Sequence, residues 1–259
     1  FQVHDMKGTI ISECNGGDKN SIDNQKSLSK SGLNRFVWDL TETAPIRLDK
    51  SLKNQKYEPF SKGGNGPAGV VVKPGMYKVI MTVGTITKTQ HLQVLKDPRI
   101  NTSDADFTEQ HDLASSILDK LSELNIAVNR IRLMKQQLKN IHKIIPDQTP
   151  LADALIAKLK KIEALLVDTK RETPRDVLRH PAGLDDTLEN LLSVVTISDS
   201  KPPAQTKEVA NDVFDKVDAL LTQLDVLVNG EITDFNSIIA NASPPSISGS
   251  SIGALKTGW

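Results

Sequence analysis

This sequence contains almost no cysteine. It also lacks a net charge and any long apolar run. The single cysteine, Cys14, excludes an intramolecular disulfide and a zinc site built from several cysteines. Lys plus Arg and Asp plus Glu both number 32, so the net charge of +0 gives no excess positive charge for binding nucleic acid or anionic membranes. No apolar run approaches the roughly 20 residues of a membrane-spanning helix.

Aromatic residues are also scarce, but aliphatic residues are plentiful enough to build packed cores. Hydrophobic residues make up 38% of the chain and aromatic residues only 4%, so aliphatic side chains are expected to fill the interior. A length of 259 residues favours two domains. Phe1 is preceded by no methionine or signal-like segment, which indicates a soluble fragment of a longer polypeptide.

Up to about residue 95, apolar residues alternate as they do in β-strands. Two such runs cover residues 76–83 and 86–94, and in each run the apolar side chains share one face. Between them, Gly84 and Thr85 are predicted to form a two-residue hairpin turn, because glycine readily adopts a positive φ. These two strands are the clearest local prediction in the chain.

The remaining strands predict the fold of this first part. Phe36, Trp38 and Leu40 alternate and are expected to point inward, and an earlier hairpin is expected around residues 5–8. Polar stretches rich in Gly, Asn, Lys and Ser, at 15–31 and 41–69, are interpreted as loops. Several short strands with turns between them predict an immunoglobulin- or fibronectin-like β-sandwich over residues 1–99.

Beyond Pro98 the apolar period becomes helical, which places a domain boundary near residue 100. One helix is predicted from Thr102 to His142, about 60 Å long at 1.5 Å per residue, with Thr102 or Ser103 as its N-cap. A helix of that length needs an equally long neighbour, and residues 204–240 carry the matching apolar stripe. Gly230 is expected to bend or interrupt this second helix.

Two shorter helices are predicted between the long ones, at residues 151–171 and 184–197. Prolines or loops separate every element, as an up-down-up-down arrangement requires. The chain is therefore predicted to be a multidomain all-β plus all-α protein, with the sandwich followed by an antiparallel four-helix bundle over residues 100–242. Residues 243–259, rich in Ser, Gly and Pro, are expected to form an irregular tail.

Several patterns resemble functional motifs but lack the context that the chemistry needs. Residues 64–69 match G-x-G-x-x-G, yet Pro67 removes one amide and no strand precedes, so a glycine loop is the better interpretation. The histidines show no metal-ligand spacing, and His111 and His142 are expected on the helix surface. The five histidines are His4, His91, His111, His142 and His180.

Charged residues also have simple interpretations. Asp39 and Glu42 are the one pair considered for glycoside hydrolysis, but Asp39 is expected to order the turn after its strand. Helix charges are expected to form a solvated face: Glu123, Arg130, Arg132 and Lys135.

Glycosylation sequons at 101–103 and 241–243 are informative only if the host is known. No catalytic, cofactor-binding or metal-ligating residue is therefore assigned, and the binding residues stay unassigned.

Four segments together resemble a known family. Three of them are Gly32-Leu-Asn-Arg-Phe-Val-Trp-Asp39, Lys73-Pro-Gly-Met-Tyr-Lys-Val79, and Val94 with Asp97-Pro-Arg99. They resemble the C-terminal region of large bacterial sortilin-type β-propeller proteins with BNR (Asp-box) repeats, often labelled glycosyl hydrolases. The stretch from residue 175 to residue 184 is also similar to that family. The first two motifs resemble, in addition, the sandwich domain of flagellar hook-capping proteins. The motifs indicate a fold and not an activity.

The resemblance implies an accessory role outside the cytoplasm. Hydrolase chemistry in that family is expected in the propeller, so no catalytic residue is carried over to this chain. The chain is then a non-catalytic C-terminal module that contacts the propeller of the same polypeptide or another protein, in the periplasm, at the cell surface or secreted. An alternative is a carbohydrate-binding accessory domain that uses Tyr57, Phe60 or Trp259. A third hypothesis treats the long helical seam as an oligomerisation surface.

Overall fold

A computed structural model describes residues 1–14, 32–52, 67–171, 173, 179–240 and 247 of the chain. Four strands form one antiparallel sheet in the order β2-β1-β3-β4. They are β1 (Gln2–His4), β2 (Ile10–Glu13), β3 (Gly75–Val83) and β4 (Ile86–Val94). Gly84 adopts a φ of +59° in the two-residue turn between β3 and β4, which confirms the predicted hairpin.

The predicted β-sandwich is wrong, because the described strands make a single sheet with no second sheet facing it. The segment around Trp38, expected as a strand, is extended but joins its neighbours only through an isolated bridge between Thr41 and Val71. Leu40 explains the interruption, since its φ of +64° lies in the left-handed region that an extended strand cannot include. Its side chain is exposed, not inward as predicted.

Part of one sheet face is nevertheless covered. Val3, Val72 and Tyr77 are buried there, and Phe36 and Trp38 pack against them as the alternation predicted. The rings of Trp38 and Tyr77 meet edge to face at 5.7 Å. A short apolar cluster thus replaces the inter-sheet core of a sandwich.

The helices follow after a short connection that begins at the end of β4. They are α1 (Asp104–Ile144), α2 (Thr149–Leu166), α3 (Leu184–Thr196), α4 (Ala204–Leu227) and α5 (Thr233–Ile239). Ser103 caps α1 by accepting a hydrogen bond from Asp106 N, one of the two caps predicted. A π-helical turn, Val228–Ile232, joins α4 to α5 and contains Gly230 at the predicted interruption. The division into domains at residue 99 stays a prediction.

The predicted antiparallel four-helix bundle is also wrong, because α1 and α4 run parallel. Lys120 Nζ donates to Asp218 Oδ1 at 2.7 Å, and ten residues later Arg130 Nη1 donates to Asp225 Oδ1 at 2.7 Å. The pairing therefore advances in the same direction along both helices. An up-down-up-down bundle would instead place the first and last helices antiparallel.

Helices α2 and α3 follow one another along α1 and do not form a hairpin with each other. Near the end of α1, His142 lies 3.4 Å from Asp153 at the start of α2, so α2 runs back along α1. At the other end of α1, Gln110 Nε2 donates to Val195 O of α3 at 2.7 Å. Within the described residues, α1 and α4 therefore run in one direction. Helices α2 and α3 run in the opposite direction and lie one after the other along α1.

Segment 42–52, in the predicted loop 41–69, packs on α1. Asn125 Nδ2 donates to Ile46 O at 2.8 Å and Asn129 Nδ2 donates to Arg47 O at 2.9 Å. Leu48 and Val70 contribute to the apolar core of the helices. The segment that leads away from the sheet therefore fixes the sheet to the middle of α1.

Candidate functional site

A cleft of about 420 Å³ lies where the β1–β2 turn meets α1. Segment 42–43 and the residues before β3 close its other sides. The titratable side chains that line it are Asp5, Glu42, Lys73, Tyr77, His111 and Asp119. It is the candidate functional site because it gathers carboxylates, an imidazole and an amine from distant parts of the sequence.

Glu42 and His111 form the centre of this cleft. His111 Nε2 donates to Glu42 Oε1 at 2.8 Å, and the His111 side chain is only 13% exposed, not on the solvated surface as predicted. The hydrogen bond to Glu42 raises the pKa of His111 above its ordinary value, while burial opposes this shift. His111 Nδ1 also lies 3.5 Å from Asp112, whose carboxylate is 3.7 Å from Lys73 Nζ.

Two further groups in the cleft have perturbed pKa values. Desolvation raises the pKa of Asp119, and the nearby charges of Glu123 and Glu42 add to the effect. Burial likewise raises the pKa of Tyr77, whose hydroxyl donates to Lys73 O at 2.7 Å. The cleft therefore holds one carboxylate hydrogen-bonded to an imidazole and one carboxyl group that binds its proton more tightly than usual.

The hydroxyl groups of the cleft are engaged in the fold. Tyr77 donates to a backbone carbonyl, and Thr43 Oγ1 donates to Ile11 O at 3.2 Å. Among the described lining residues, none is a serine or cysteine beside the imidazole of His111. The arrangement supplies a charged contact between the sheet and α1.

The two residues considered for glycoside hydrolysis, Asp39 and Glu42, bind different partners in the structure. Asp39 Oδ1 accepts from Thr41 N at 3.1 Å and from Thr41 Oγ1 at 2.6 Å, which confirms its role in ordering the turn. Glu42 turns instead toward His111, a partner 69 residues away that no local signal could indicate. Asp5, Glu42 and Asp119 are the carboxylates that line the cleft with His111.

Residues 64–66 of the glycine motif at 64–69 lie outside the described residues, and so do Tyr57, Phe60 and Trp259. Its last glycine, Gly69, has a structural role: a Cβ there would lie 1.8 Å from Glu42 O. In the described parts of the chain, no group of three or more His, Cys, Asp and Glu side chains is placed to hold a metal ion. His4 and His91 lie on strands of the sheet and are not among the residues that line the cleft.

The helical charges predicted on a solvated face are partly buried. Arg132 and Lys135 of α1 are almost inaccessible to solvent, and so is Glu163 of α2. Arg132 Nε donates to Glu163 Oε1 at 2.9 Å, and Lys135 Nζ donates to Glu163 Oε2. Periodicity along α1 could not predict this burial, because the carboxylate that compensates both cations belongs to another helix.

A second ionic cluster lies where α2 gives way to α3. Arg171 Nη2 donates to Asp186 Oδ2 at 2.6 Å. Burial raises the pKa of Asp185 well above its ordinary value, and desolvation with the charge of Asp186 raises the pKa of Glu189 to about 7. No motif pointed to this cluster, although three acidic residues in the first six positions of one helix are a signal that the sequence carries.

The chain matches no protein-family model, no curated protein and no solved structure. No helix in the described part of the chain has both the length and the apolar composition to cross a membrane.

Proposed function

We propose that this chain is a non-catalytic accessory module that binds a protein partner, within an exported β-propeller protein of the sortilin-type BNR family. The resemblance of the motifs at Gly32–Asp39 and Lys73–Val79 to that family supports this proposal, and the resemblance implies an extracytoplasmic location. The partner is the propeller of the same polypeptide or another protein. One structural observation carries the binding role, and it concerns the β3–β4 hairpin.

The β3–β4 hairpin extends beyond the apolar cluster that covers the rest of the sheet. Eight of the nine residues of β4 are exposed, and only Val94 is partly covered. At the tip, Val83 is 64% exposed and Ile86 is 60% exposed, although both have the strong β-propensity of residues that usually pack. Exposed apolar side chains clustered on an edge hairpin are typical of an interaction surface.

The titratable clusters support a role without catalysis. In the cleft, His111 is hydrogen-bonded to Glu42. In the helices, Glu163 accepts hydrogen bonds from two buried cations. Each cluster joins separate elements of the fold, which is sufficient reason for its perturbed electrostatics.

Carbohydrate binding receives less support from the described residues. Sugar platforms are built from exposed aromatic faces, and in the described ranges no aromatic ring is fully exposed. Phe1 and Phe36 stack on each other at 4.9 Å, and Trp38 donates its Nε1 hydrogen to Thr41 O. A protein partner therefore fits the described surface better than a glycan does.

Two measurements test the proposal. Calorimetric titration of the chain against a sortilin-type BNR propeller, expressed separately, is expected to show binding that weakens in the Ile86→Ser variant. The control, Ile197→Ser, replaces an even more exposed isoleucine beyond α3 and should leave binding unchanged. Absence of binding to the propeller, or binding unaffected by Ile86→Ser, contradicts the proposal.

The second measurement is turnover of chromogenic glycosides and polysaccharides by the purified chain. No hydrolysis is expected. Hydrolysis that disappears in both Glu42→Gln and Asp119→Asn would assign the cleft as an active site and refute the non-catalytic role. A glycan-array signal from the unmodified chain would favour the carbohydrate-binding alternative.

A further inference from the structure

We infer that the outer edge of β4 binds an extended, acidic segment of a partner protein, which adds to the sheet as a fifth strand. This inference rests on the proposed function and specifies the chemistry of the partner. Strand addition of this kind takes its affinity from backbone hydrogen bonds and its specificity from the side chains along the edge.

The backbone of β4 offers an open row of hydrogen-bonding groups. The strand lies at the end of the sheet order, and no other described segment pairs with its outer side. The two-residue turn makes Val83 and Ile86 a hydrogen-bonded pair, so alternate residues from Thr87 onward direct their N–H and C=O groups outward. Thr87, Thr89, His91 and Gln93 form this outward set.

The edge lacks most of the features that usually prevent strand addition. Natural edge strands are protected by proline, by a bulge, by charged side chains, especially lysine, or by short length, and of these β4 has only a lysine. β4 has nine residues, contains no proline and pairs with β3 in continuous register. Its one lysine, Lys88, lies between the apolar residues Ile86 and Leu92 on the same face. That face offers apolar contacts on either side of a single positive charge.

Charge indicates what kind of strand fits. The 30 residues from Pro67 to Lys96 contain four lysines and no Asp or Glu, although the whole chain is neutral. On the opposite face, register places His4, Lys78 and His91 side by side across three strands. Neither Lys78 nor Lys88 contacts a carboxylate within the described structure. An acidic strand would supply the missing counter-charges.

The same charges argue against a second copy of this chain at the edge. Pairing β4 with itself would bring two hairpins of like charge together with no acidic residue between them. Like charges on adjacent strands destabilise the pairing. The edge is therefore assigned to a different polypeptide segment, with apolar side chains near Ile86 and Leu92 and a carboxylate opposite Lys88.

The test uses a synthetic probe and the whole chain. The probe is an acetylated, fluorescently labelled peptide of nine residues composed of glutamate, valine and threonine, with three glutamates. Fluorescence anisotropy is expected to show binding that weakens about fivefold when the glutamates become glutamines, and also in 0.5 M NaCl, as exposed ion pairs are screened. Equal binding of the glutamine peptide overturns the acidic preference.

Two chain variants locate the binding. Thr89→Pro removes one outward N–H without breaking a bond to β3, so it should reduce affinity at least tenfold, whereas Thr89→Val should not. Lys88→Glu should weaken binding about fivefold, and Lys160→Glu, on the exposed face of α2, should not. Unchanged binding by both Thr89→Pro and Lys88→Glu overturns the assignment to β4. Thermal unfolding checks that each variant folds.

The outcomes separate this inference from the proposed function. Binding of the propeller without binding of the acidic peptide supports the module role and refutes the acidic strand. Binding of the peptide without the propeller supports the edge site and refutes the proposed partner. A concentration-dependent mass in light scattering that Thr89→Pro abolishes would assign the edge to a second copy and overturn the inference.

Discussion

Glu42 and His111 are 69 residues apart in sequence, and a hydrogen bond of 2.8 Å joins their side chains. Glu42 belongs to the segment that crosses beside Val70, to whose carbonyl it donates its own N–H at 2.8 Å. His111 belongs to the first third of α1. The bond therefore ties the chain around the sheet to the longest helix, and it carries charge when His111 is protonated.

Replacing His111 with glutamine should make the chain's stability less dependent on pH. The bond to Glu42 raises the pKa of His111, so its stabilisation is complete below its unfolded pKa of about 6.5 and is lost as pH rises through the folded value. His111→Gln should lower the free energy of unfolding by about 1 kcal/mol at pH 5.5 and by less at pH 8.5. Urea unfolding at both pH values measures this, with His91→Gln on exposed β4 as the control.

Replacing Glu189 with glutamine should stabilise the chain at alkaline pH. Because the pKa of Glu189 rises to about 7 on folding, the folded state retains a proton that the unfolded state loses above about pH 4.5. The unmodified chain thus loses stability between about pH 4.5 and pH 7. Glu189→Gln should raise the free energy of unfolding by about 1–2 kcal/mol at pH 8, allowing for solvent screening, and hardly at all at pH 4.

Glu208 provides the matched control for this prediction. It is exposed on α4, and Glu208→Gln should leave the pH profile of unfolding unchanged. A stabilisation by Glu189→Gln that is equal at pH 4 and pH 8 would show that burial does not raise the pKa of Glu189.

Removing the buried carboxylate of the helices should be strongly destabilising. Glu163→Gln leaves the cations of Arg132 and Lys135 without their compensating charge in a site closed to solvent. The expected loss is about 3–5 kcal/mol in the free energy of unfolding, measured by urea denaturation. Glu123→Gln, at a partly exposed pair with Lys120, should cost under about 1 kcal/mol. Comparable losses in the two variants would contradict the burial of Glu163.

Two glycines should respond to alanine in opposite directions. A Cβ at Gly69 would lie 1.8 Å from Glu42 O, so Gly69→Ala must displace the backbone crossing and should cost about 1–3 kcal/mol. A Cβ at Gly230 would meet nothing within 4 Å, so Gly230→Ala should add about 0.5–1 kcal/mol of stability. Thermal unfolding monitored by circular dichroism compares both variants. Stabilisation by Gly69→Ala would show that the two segments do not approach so closely.

Several elements could be predicted because their signals are local. Gly84 specifies the turn between β3 and β4 through its own backbone freedom, and Ser103 begins α1 through a hydrogen bond within the first turn. Asp39 orders its turn through Thr41, two residues away. In each example, the partners lie within a few residues of each other.

The candidate site could not be predicted in the same way. Asp39 and Glu42 are equivalent by sequence, but only Glu42 reaches His111 across the fold. Periodicity along α1 likewise places Arg132 among the polar residues, and its burial follows only from the position of α2. Side-chain protonation in these places depends on neighbours that are distant in sequence.

The sequence by itself determined where strands give way to helices, where the β3–β4 hairpin turns and where α1 begins, because side-chain periodicity and backbone preference act over a few residues. Only the tertiary structure decided that the strands form one sheet and not two, that α4 runs parallel to α1, and that α2 and α3 lie one after the other along α1. Those choices depend on which distant surfaces bury one another, and alternative partners with similar apolar stripes cannot be distinguished from the order of residues alone.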